Sequence, residues 1–435
     1  MVETTQECFD DRERLKPLVE AVTARAAEPC EAAKKERWAR HQALLPTDKV
    51  PVCVSYEGIP ASEWDAMFGP KHLRTVTPLA RSLEFDLKRR MWMAAHVPDD
   101  HIVWPFVTVS AITREERGWG VPLEWQPPDD PLGAKRIIAP FAEEVDISRL
   151  TEAVTVVDEA ATALRAERAA ELVGGRMPVQ VRYPHMGHQP WEIVVRLRGM
   201  ERLLMDVIDQ PTAVHGMMAL VTAAMVAHHL LREKRGWINV APDPAGAFHA
   251  GDFMRVNASF LSPDFGTRSP RLRDEWAYVS AQSAAGLGPA MFEEFVHQYN
   301  ARLAAPYTDG TVYYHGCERL DHKLDSLVRL PNLRRLHVSP WSTVAAAREK
   351  TDGRVVLEVH AHPGKVLFGL SPQEMRAELD ELVAAAEGVP IDLNLSDINT
   401  VNGTPETLRI WAEMAQEAAT HAPPRRQAGI PAADR

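Results

Sequence analysis

Residues 354–362, RVVLEVHAH, alternate apolar and polar side chains along a short β-rich run. The apolar residues occupy positions 355, 357, 359 and 361, whereas Glu358, His360 and His362 share the opposite face. Successive residues of a strand point to opposite faces of a sheet, so the apolar face packs against helices and the polar face points away from them. The segment therefore predicts a strand of an α/β fold with a polar interior.

Seven further β-rich runs accompany this one, and segments of helical periodicity separate them. Strands that alternate with helices favour a parallel sheet, and eight is the strand number of a TIM barrel. We therefore predict an α/β fold, a single (β/α)8 TIM barrel. The eight predicted strands span residues 50–55, 102–109, 177–183, 236–241, 311–314, 333–339, 354–360 and 390–395.

The chain divides into three predicted parts. Residues 1–46 form an N-terminal helical extension, residues 47–420 form the barrel, and the sparsely apolar tail 421–435 is expected to be disordered. Two long loops without periodicity, 118–140 and 242–273, interrupt the barrel. Such loops are usually functional or mobile, so we expect both to lie over its C-terminal face.

Charge and composition exclude several classes of function. The net charge of −11 repels nucleic acid and anionic lipid. The longest nearly apolar run, 217–227, is shorter than a membrane span, and the acidic start does not resemble a signal peptide. The four cysteines show no paired spacing, which is typical of a reducing compartment. We expect a cytoplasmic protein without disulfides whose metal site, if present, uses histidine or carboxylate ligands.

The last strands direct polar groups inward. In residues 311–317, the same alternation places Tyr313, His315 and Cys317 on one face, and in residues 390–397 it groups Asp392 with Asn394. Active sites of such barrels lie at the carboxyl ends of the strands. A single buried histidine or cysteine is more often packing than a ligand, but the convergence of several favours a site.

The spacing His315-Gly316-Cys317 is suited to metal binding. Residues that lie two positions apart on a strand point to the same face, and imidazole and thiolate are both zinc ligands. A catalytic zinc needs about three protein ligands, and His360 and His362 are the best candidates for the remaining ones. The alternative is that Cys317 is a small buried hydrophobe beside a hydrogen-bonded His315.

Four longer segments resemble the uroporphyrinogen decarboxylase-like superfamily, a set of (β/α)8 barrels that includes the decarboxylase and corrinoid-dependent methyltransferases. The most specific pair is LRDEWAYVSAQSAAGLGPAMFEEFVHQYNARL and VYYHGCERLDHKLDSLVRLPNLRRLHVSPW. Shorter matches are KKERWARHQALLPTDKVPV and WEIVVRLRGMERLLMDVIDQP. They span residues 272–303, 312–341, 34–52 and 191–211.

The resemblance separates the branches of this superfamily. The decarboxylase has an arginine-rich N-terminal segment, and residues 51–60, PVCVSYEGIP, contain no arginine, so that reaction is disfavoured. The zinc methyltransferases carry His-x-Cys after the fifth strand, matched by His315 and Cys317, and a distal cysteine after the last strand. Residues 395–408 contain Asp397 but no cysteine, so another residue completes the site or the metal has been lost.

The resemblance implies a methyltransferase that moves a methyl group between a small substrate or thiol and a corrinoid on a partner protein, with zinc as Lewis acid. Family barrels often form homodimers. The candidate residues are Glu318, Asp274 and His185 for catalysis and Tyr183, Trp276, Gln282, Trp341 and Asp397 for substrate binding. The tryptophans are equally consistent with core packing.

A second class of function is a decarboxylase or lyase acting on a small carboxylated substrate. It would hold the carboxylate with Arg182, Arg255 or Arg268 and use His185 or His315 as the acid. A non-catalytic binding barrel is disfavoured, because inward Glu, His and Cys groups cost desolvation energy that an apolar interior would avoid.

Overall fold

The fold is α/β and is built around a parallel sheet of six strands. The computed structural model describes residues 5–56, 58–65, 67–128, 135–184, 187, 189–240, 258–264 and 266–422. Twelve strands are found in the described residues, and they are labelled in chain order. They are β1 (Val52–Val54), β2 (Val107–Ser110), β3 (Thr113–Arg117), β4 (Glu124–Gln126), β5 (Arg136–Ile138), β6 (Val154–Val157), β7 (Val179–Arg182), β8 (Ala277–Val279), β9 (Val312–Tyr314), β10 (Leu333–Val338), β11 (Val356–His360) and β12 (Ile391–Leu395).

Helices cover the sheet and join its strands. Residues 293–297 form a π-helical turn between α8 and α9. The helices are α1 (Thr5–Ala26), α2 (Pro29–Gln42), α3 (Pro78–His96), α4 (Glu159–Leu172), α5 (Pro190–Arg198), α6 (Met200–Asp209), α7 (Pro211–Arg235), α8 (Pro289–Phe292), α9 (Gln298–Ala304), α10 (Leu324–Leu327), α11 (Val344–Thr351), α12 (Pro363–Phe368), α13 (Pro372–Ala386) and α14 (Glu406–Thr420).

The six-stranded sheet runs in the order β1-β12-β11-β10-β9-β8, and every neighbouring pair is parallel. Strands β2 and β7 form a second parallel pair. The remaining strands make two antiparallel pairs, β3 with β6 and β4 with β5. The strands that follow one another from β8 to β12 are therefore neighbours in space, and their carboxyl ends meet at one edge of the sheet.

Seven of the eight predicted strand segments contain a strand. The prediction for 236–241 is wrong in its described part, because Gly236 ends α7 in a left-handed conformation (φ 72°) and the following residues are irregular. Ala277–Val279 forms β8 instead. This strand has only three residues, too few for a readable alternation.

Proline begins two helices that follow closely on another helix. The predicted N-terminal helical extension contains two helices, with Pro29 in the first turn of α2. Similarly, α6 ends at Asp209, Gln210 caps it, and Pro211 begins α7. Proline lacks a backbone N–H but fits a first helical turn, so it starts a helix where it would interrupt a longer one.

Helix α2 covers the amino ends of the central strands. The Trp38 indole N–H donates to the Asp100 carbonyl at 2.8 Å, and His41 Nε2 lies 2.9 Å from Asp392 Oδ2 at the start of β12. Gln42 Oε1 accepts a hydrogen bond from Arg335 at 3.2 Å. The N-terminal extension therefore closes the end of the sheet opposite to the carboxyl ends of the strands.

The structure describes parts of both long loops. The 118–140 loop follows β3 and contains the hairpin of β4 and β5, with residues 129–134 outside the described residues. The described part of the 242–273 loop includes a 3-10 turn, Ala258–Leu261, that contacts α2. Its predicted position over the C-terminal face is thus wrong for this part, because α2 lies at the amino ends. Residues 423–435 of the predicted tail are outside the described residues.

Among the described helices, α7 alone is long and apolar enough to cross a membrane by length and composition. The helix is longer than the 11-residue apolar run at 217–227, because the mean hydropathy of its most apolar window stays high despite scattered polar residues. Half of its most apolar window is buried inside the protein, and it packs against α5, α6 and α9. Its burial is that of a core helix.

Gly120 anchors the start of the 118–140 loop in a conformation that excludes a side chain. Its φ is +84°, and an added Cβ would lie 2.1 Å from the Arg149 carbonyl oxygen. We predict that Gly120→Ala lowers the free energy of unfolding by more than about 3 kcal/mol, because left-handed strain and overlap combine. Gly403→Ala is the matched control, since Gly403 has φ +69° and open space around it. Urea unfolding that gave equal losses would contradict this.

Candidate functional site

The inward faces of β9 to β12 carry a continuous group of polar side chains. The parallel register sets Tyr313 beside Arg335, His337 beside Glu358, and His360 beside Asn394. Helices cover the opposite face, so these side chains are buried in the interior of the fold. The group consists of Tyr313, His315, Arg335, His337, Ser339, Glu358, His360, Asp392, Asn394 and Ser396.

Arg335 lies at the base of this group between two carboxylates. Its guanidinium donates to Glu358 Oε2 at 2.8 Å and to Asp392 Oδ1 at 2.8 Å, and all three side chains are fully buried. Burial alone would raise the pKa of Asp392, but Arg335 and the hydrogen bond from His41 hold that pKa well below its usual value. Both carboxylates are therefore ionised and paired.

His337, Glu358 and His360 form an inner group whose nitrogen and oxygen atoms all lie within 4.8 Å of one another. His360 Nε2 is 2.7 Å from Glu358 Oε1, and the two imidazole rings stack with centroids 3.9 Å apart. Ser396 Oγ lies 2.7 Å from His360 Nδ1. Two imidazoles and a carboxylate are a donor set that divalent metals such as zinc accept.

The Tyr313 hydroxyl joins the inner group to His315. It donates to Glu358 Oε1 at 2.8 Å, and it lies 2.9 Å from His315 Nδ1 and 3.2 Å from His337 Nδ1. A phenol has one proton to donate, and a carboxylate only accepts. The tyrosine oxygen therefore accepts from the Nδ1–H of His315, and His315 presents its Nε2 lone pair to its other neighbour.

That neighbour is Cys317. His315 Nε2 lies 2.9 Å from Cys317 Sγ, which in turn is 3.8 Å from Asp397 Oδ2. Cys317 is half-buried and Asp397 is exposed, so these groups lie where the interior meets the surface. Burial raises the pKa of the Cys317 thiol, and the carboxylates of Asp397 and Glu318 raise it further. Without a cation the thiol is protonated at neutral pH.

His360 and His362 have different positions, although both were predicted as metal ligands. His360 belongs to the inner group, whereas His362 follows the end of β11 and caps α12, where its Nδ1 accepts from the Lys365 N–H at 3.4 Å. The His362 ring packs edge-on against Trp341, whose side chain is exposed. The structure thus separates His362 and Trp341 from the inner group.

Glu318 forms a buried pair beside the site. Lys323 Nζ donates to Glu318 Oε1 at 3.2 Å, while Oε2 has no hydrogen-bond partner among the described residues. Burial raises the pKa of Glu318 and lowers that of Lys323. Predicted pocket residue Gln282 begins a 3-10 turn at the carboxyl end of β8, and its neighbour Ser283 binds Glu192. Glu318 and Lys323 therefore place two groups that can exchange protons beside the site.

Asp274 lies before the amino end of β8, whereas His315 follows the carboxyl end of the neighbouring strand β9. Arg268 donates hydrogen bonds of 2.6 and 2.7 Å to the two carboxylate oxygens of Asp274. The structure does not bring this predicted acid to the inner group. Predicted pocket residue Trp276 follows it, half-buried, with an indole N–H that has no partner among the described atoms.

Tyr183 follows the end of β7. The Tyr183 backbone exchanges hydrogen bonds of 2.9 Å with the Asn239 side chain, and its ring stacks on Trp237. No contact recorded for Tyr183 joins it to the inner group. His185, a predicted catalytic residue, and Arg255 lie outside the described residues.

His337 and Arg335 are the interior residues that the sequence predictions missed. The signal was present in LRRLHVS, residues 333–339, where Leu336 and Val338 occupy one face and Arg335, His337 and Ser339 the other. This is the alternation already recognised in the flanking strands. Applied to all four strands, the same criterion finds both residues.

No protein-family model and no curated protein matches the sequence. Among solved structures, the fold is similar to that of a methyltransferase from Methanosarcina mazei, with a TM-score of 0.52 and 14% sequence identity. The similarity covers 88% of this chain and 98% of that chain. The likeness extends over nearly the whole of both proteins and shows that they share a fold.

The position of Arg335 generates a stability prediction. Arg335→Met leaves Glu358 and Asp392 as buried carboxylates without their cation, so we expect the free energy of unfolding at pH 7 to fall by about 3–5 kcal/mol. Arg334→Met is the matched control, because Arg334 lies on the other face of β10, away from Glu358 and Asp392, and donates to the Gly310 carbonyl. We expect the control to lose about 1 kcal/mol or less in urea unfolding.

The same pair of variants gives a pH dependence. Because the folded pKa of Asp392 is depressed, its stabilisation is fully present above the unfolded pKa of about 4 and is lost progressively as the pH falls below that value towards the lower folded pKa. The difference between the two variants should therefore shrink in acid, where protonation removes the unpaired charges. A difference that stayed constant down to about pH 3 would contradict this assignment.

Proposed function

We propose that this chain is a methyltransferase that moves a methyl group between a small substrate or thiol and a corrinoid carried by a separate protein, with zinc as Lewis acid. The observation that carries the proposal is the convergence of His, Glu and Cys donors at the carboxyl ends of β9 to β12. The fold shared with a methyltransferase supports it.

We also propose that the chain has the barrel fold of the uroporphyrinogen decarboxylase-like superfamily. Six parallel strands in one sheet and two in another, β2 and β7, make eight. We propose that the two sheets are arcs of one (β/α)8 barrel, because this accounts for the strand number and for a polar interior open at the carboxyl ends. The chain would then act as a cytoplasmic protein, as a homodimer in the manner of related barrels.

The residues present suit zinc. Imidazole, thiolate and carboxylate are its usual ligands, and His337, Glu358, His360, His315 and Cys317 supply all three kinds. Ser396 and Tyr313 already contact the distal nitrogens of His360 and His315, and such outer contacts fix the orientation of metal-binding histidines. A bound zinc would supply Lewis acidity that ionises a thiol or polarises a leaving oxygen or nitrogen.

The chain's own residues hold and shield the reacting groups. Arg335 keeps Glu358 ionised, and Glu358 orients Tyr313 and His360 through its Oε1 atom. Substrate would approach past Cys317 and Asp397, the accessible members of the group. Glu318, whose pKa is raised by burial, would exchange a proton with a substrate heteroatom on that side.

The decarboxylase or lyase alternative rests on an arginine that clamps a substrate carboxylate. Arg268 is engaged by Asp274 and Asp264 at the amino ends, away from the inner group. Arg335 is fully buried and committed to Glu358 and Asp392. Arg182 ends β7, in a different sheet from the inner group. Because Arg268 and Arg335 are both committed to carboxylates of the protein, we place this alternative second.

Metal content tests the proposal first. Protein purified without chelator should contain zinc, and Cys317→Ala should lower the zinc content, measured by elemental analysis, because a thiolate ligand is removed. Cys30→Ala is the control, since Cys30 is exposed on α2. Equal zinc in both variants would show that Cys317 is not a ligand.

Methyl transfer is the decisive measurement. With methylcobalamin and a panel of small thiols, zinc-loaded protein should demethylate the cobalamin, followed by its absorbance, and Cys317→Ala should slow the reaction by about a hundredfold or more. His362→Gln should stay near wild type, because His362 caps α12. The absence of transfer from methylcobalamin to any thiol, and of cob(I)alamin methylation by small methylated amines, ethers or thioethers, would refute the proposed function.

A further inference from the structure

Helix α6 carries apolar residues on two sides. Leu203 and Val207 are buried in the core, whereas Met205 and Ile208 on the other side are 52% and 68% exposed. Met200, which begins the helix on that same outer side, is 48% exposed. A surface helix normally presents polar and charged residues to water, so an apolar outer side indicates that a further surface covers it.

The hairpin of β4 and β5 extends this apolar side. Its Trp125 and Ile138 are each 50% exposed. The hairpin lies beside the start of α6, because a Cβ added to Gly199 would meet the Ala139 Cβ at 3.7 Å. The Arg196 guanidinium lies 5.9 Å from the centroid of the Trp125 ring. Exposed apolar residues are common singly, but a contiguous group of them marks an interaction site. The group, called the α6 surface, consists of Trp125, Ile138, Met200, Met205 and Ile208.

The hairpin itself is incomplete within one copy of the chain. In the described residues, β4 and β5 form a sheet of only two strands, with three residues in each. A two-stranded hairpin is marginally stable in water and becomes stable when it packs against another element. Strand edges also present backbone N–H and C=O groups that pair readily with another chain. The hairpin is therefore suited to contact a second molecule.

The charges around the α6 surface favour a second copy of this chain as that molecule. The net charge of −11 makes two copies repel each other over most of their surfaces. The hairpin strands, α6 and the adjoining Arg196 instead contribute three accessible charges of each sign, which a two-fold axis can set against one another. These residues are Glu124, Glu201 and Asp209, and Arg136, Arg196 and Arg202.

The area of the α6 surface matches the apolar part of a dimer interface. At roughly 200 Å² of accessible surface for each large apolar residue, the exposed fractions of its five members amount to about 500 Å². A specific interface of standard size buries about 800 Å² on each partner, and about 65% of a homodimer interface is apolar. The α6 surface supplies that apolar share, and the surrounding charges supply a polar rim.

We propose that the α6 surface is the interface of a symmetric homodimer, in which it packs against the same surface of a second copy. The homodimer itself belongs to the proposed function, and this inference rests on it only for the number of copies. The 118–140 loop, which contains the hairpin, then acts as a dimerisation arm. Dimerisation requires no methyl transfer, so the interface and the reaction are tested separately.

Sedimentation of the full-length chain over a range of concentrations tests this interface. Wild type should sediment as a dimer, with twice the chain mass of 48.5 kDa. Ile208→Glu should raise the dimer dissociation constant by at least about 100-fold, because association would bury an unpaired carboxylate from each copy. Met205→Glu should act in the same way. Trp125→Ala should raise the constant by at least about tenfold, because it truncates an aromatic anchor.

Leu164→Glu is the matched control for Ile208→Glu. Leu164 lies on α4, outside the α6 surface, and is 67% exposed, nearly the same fraction as Ile208. Its replacement should leave the dissociation constant within about twofold of wild type. Circular dichroism of every variant should show the wild-type helix content, because the replaced side chains are accessible in the single chain.

Three results would overturn the inference. A wild-type chain that stays monomeric at about 100 μM would exclude a specific dimer. A dimer that Ile208→Glu and Leu164→Glu weaken equally, or that neither weakens, would place the contact on another part of the chain. A monomer that co-purifies with a different protein, released by Ile208→Glu, would assign the α6 surface to that protein. Loss of methyl transfer in an intact dimer would count against the proposed function alone.

Discussion

The ion pairs of Arg335 determine how every polar group above them is protonated. A guanidinium fully buried between Glu358 and Asp392 keeps both carboxylates ionised where burial would otherwise neutralise them. An ionised Glu358 only accepts hydrogen bonds. Tyr313 and His360 must therefore both donate to it, which leaves the tyrosine oxygen as an acceptor for His315.

Each layer of the interior thus fixes the chemistry of the layer nearer the surface. The base, formed by Arg335 and Asp392 and covered by α2, is fully paired and stabilises the fold. In the middle layer, the ionised Glu358 accepts hydrogen bonds from Tyr313 and His360, and these bonds determine which imidazole nitrogens carry a proton. At the surface, the His315 lone pair meets Cys317, whose thiol remains protonated because it is partly buried and because Asp397 and Glu318 are near it. The negative charge that is compensated at the base remains uncompensated at the mouth.

The strand alternation predicted much of this arrangement. Seven of the predicted segments contain strands, and the inward positions of His315, Glu358 and His360 follow from parity alone. His362 lies outside the inner group because parity holds only while the strand continues, and β11 ends at His360 before Pro363 begins a helix. The contact between Cys317 and Asp397 joins residues 80 positions apart and depends on where two strands end, which no local pattern contains.

The inner group and the contact between Cys317 and Asp397 differ in how their charge is balanced. Glu358 is neutralised by Arg335, and the histidines around it are satisfied by hydrogen bonds, so the inner group needs no metal to be stable. Cys317 and Asp397 have no described cationic side chain between them, and partial burial together with the neighbouring carboxylates keeps the thiol protonated.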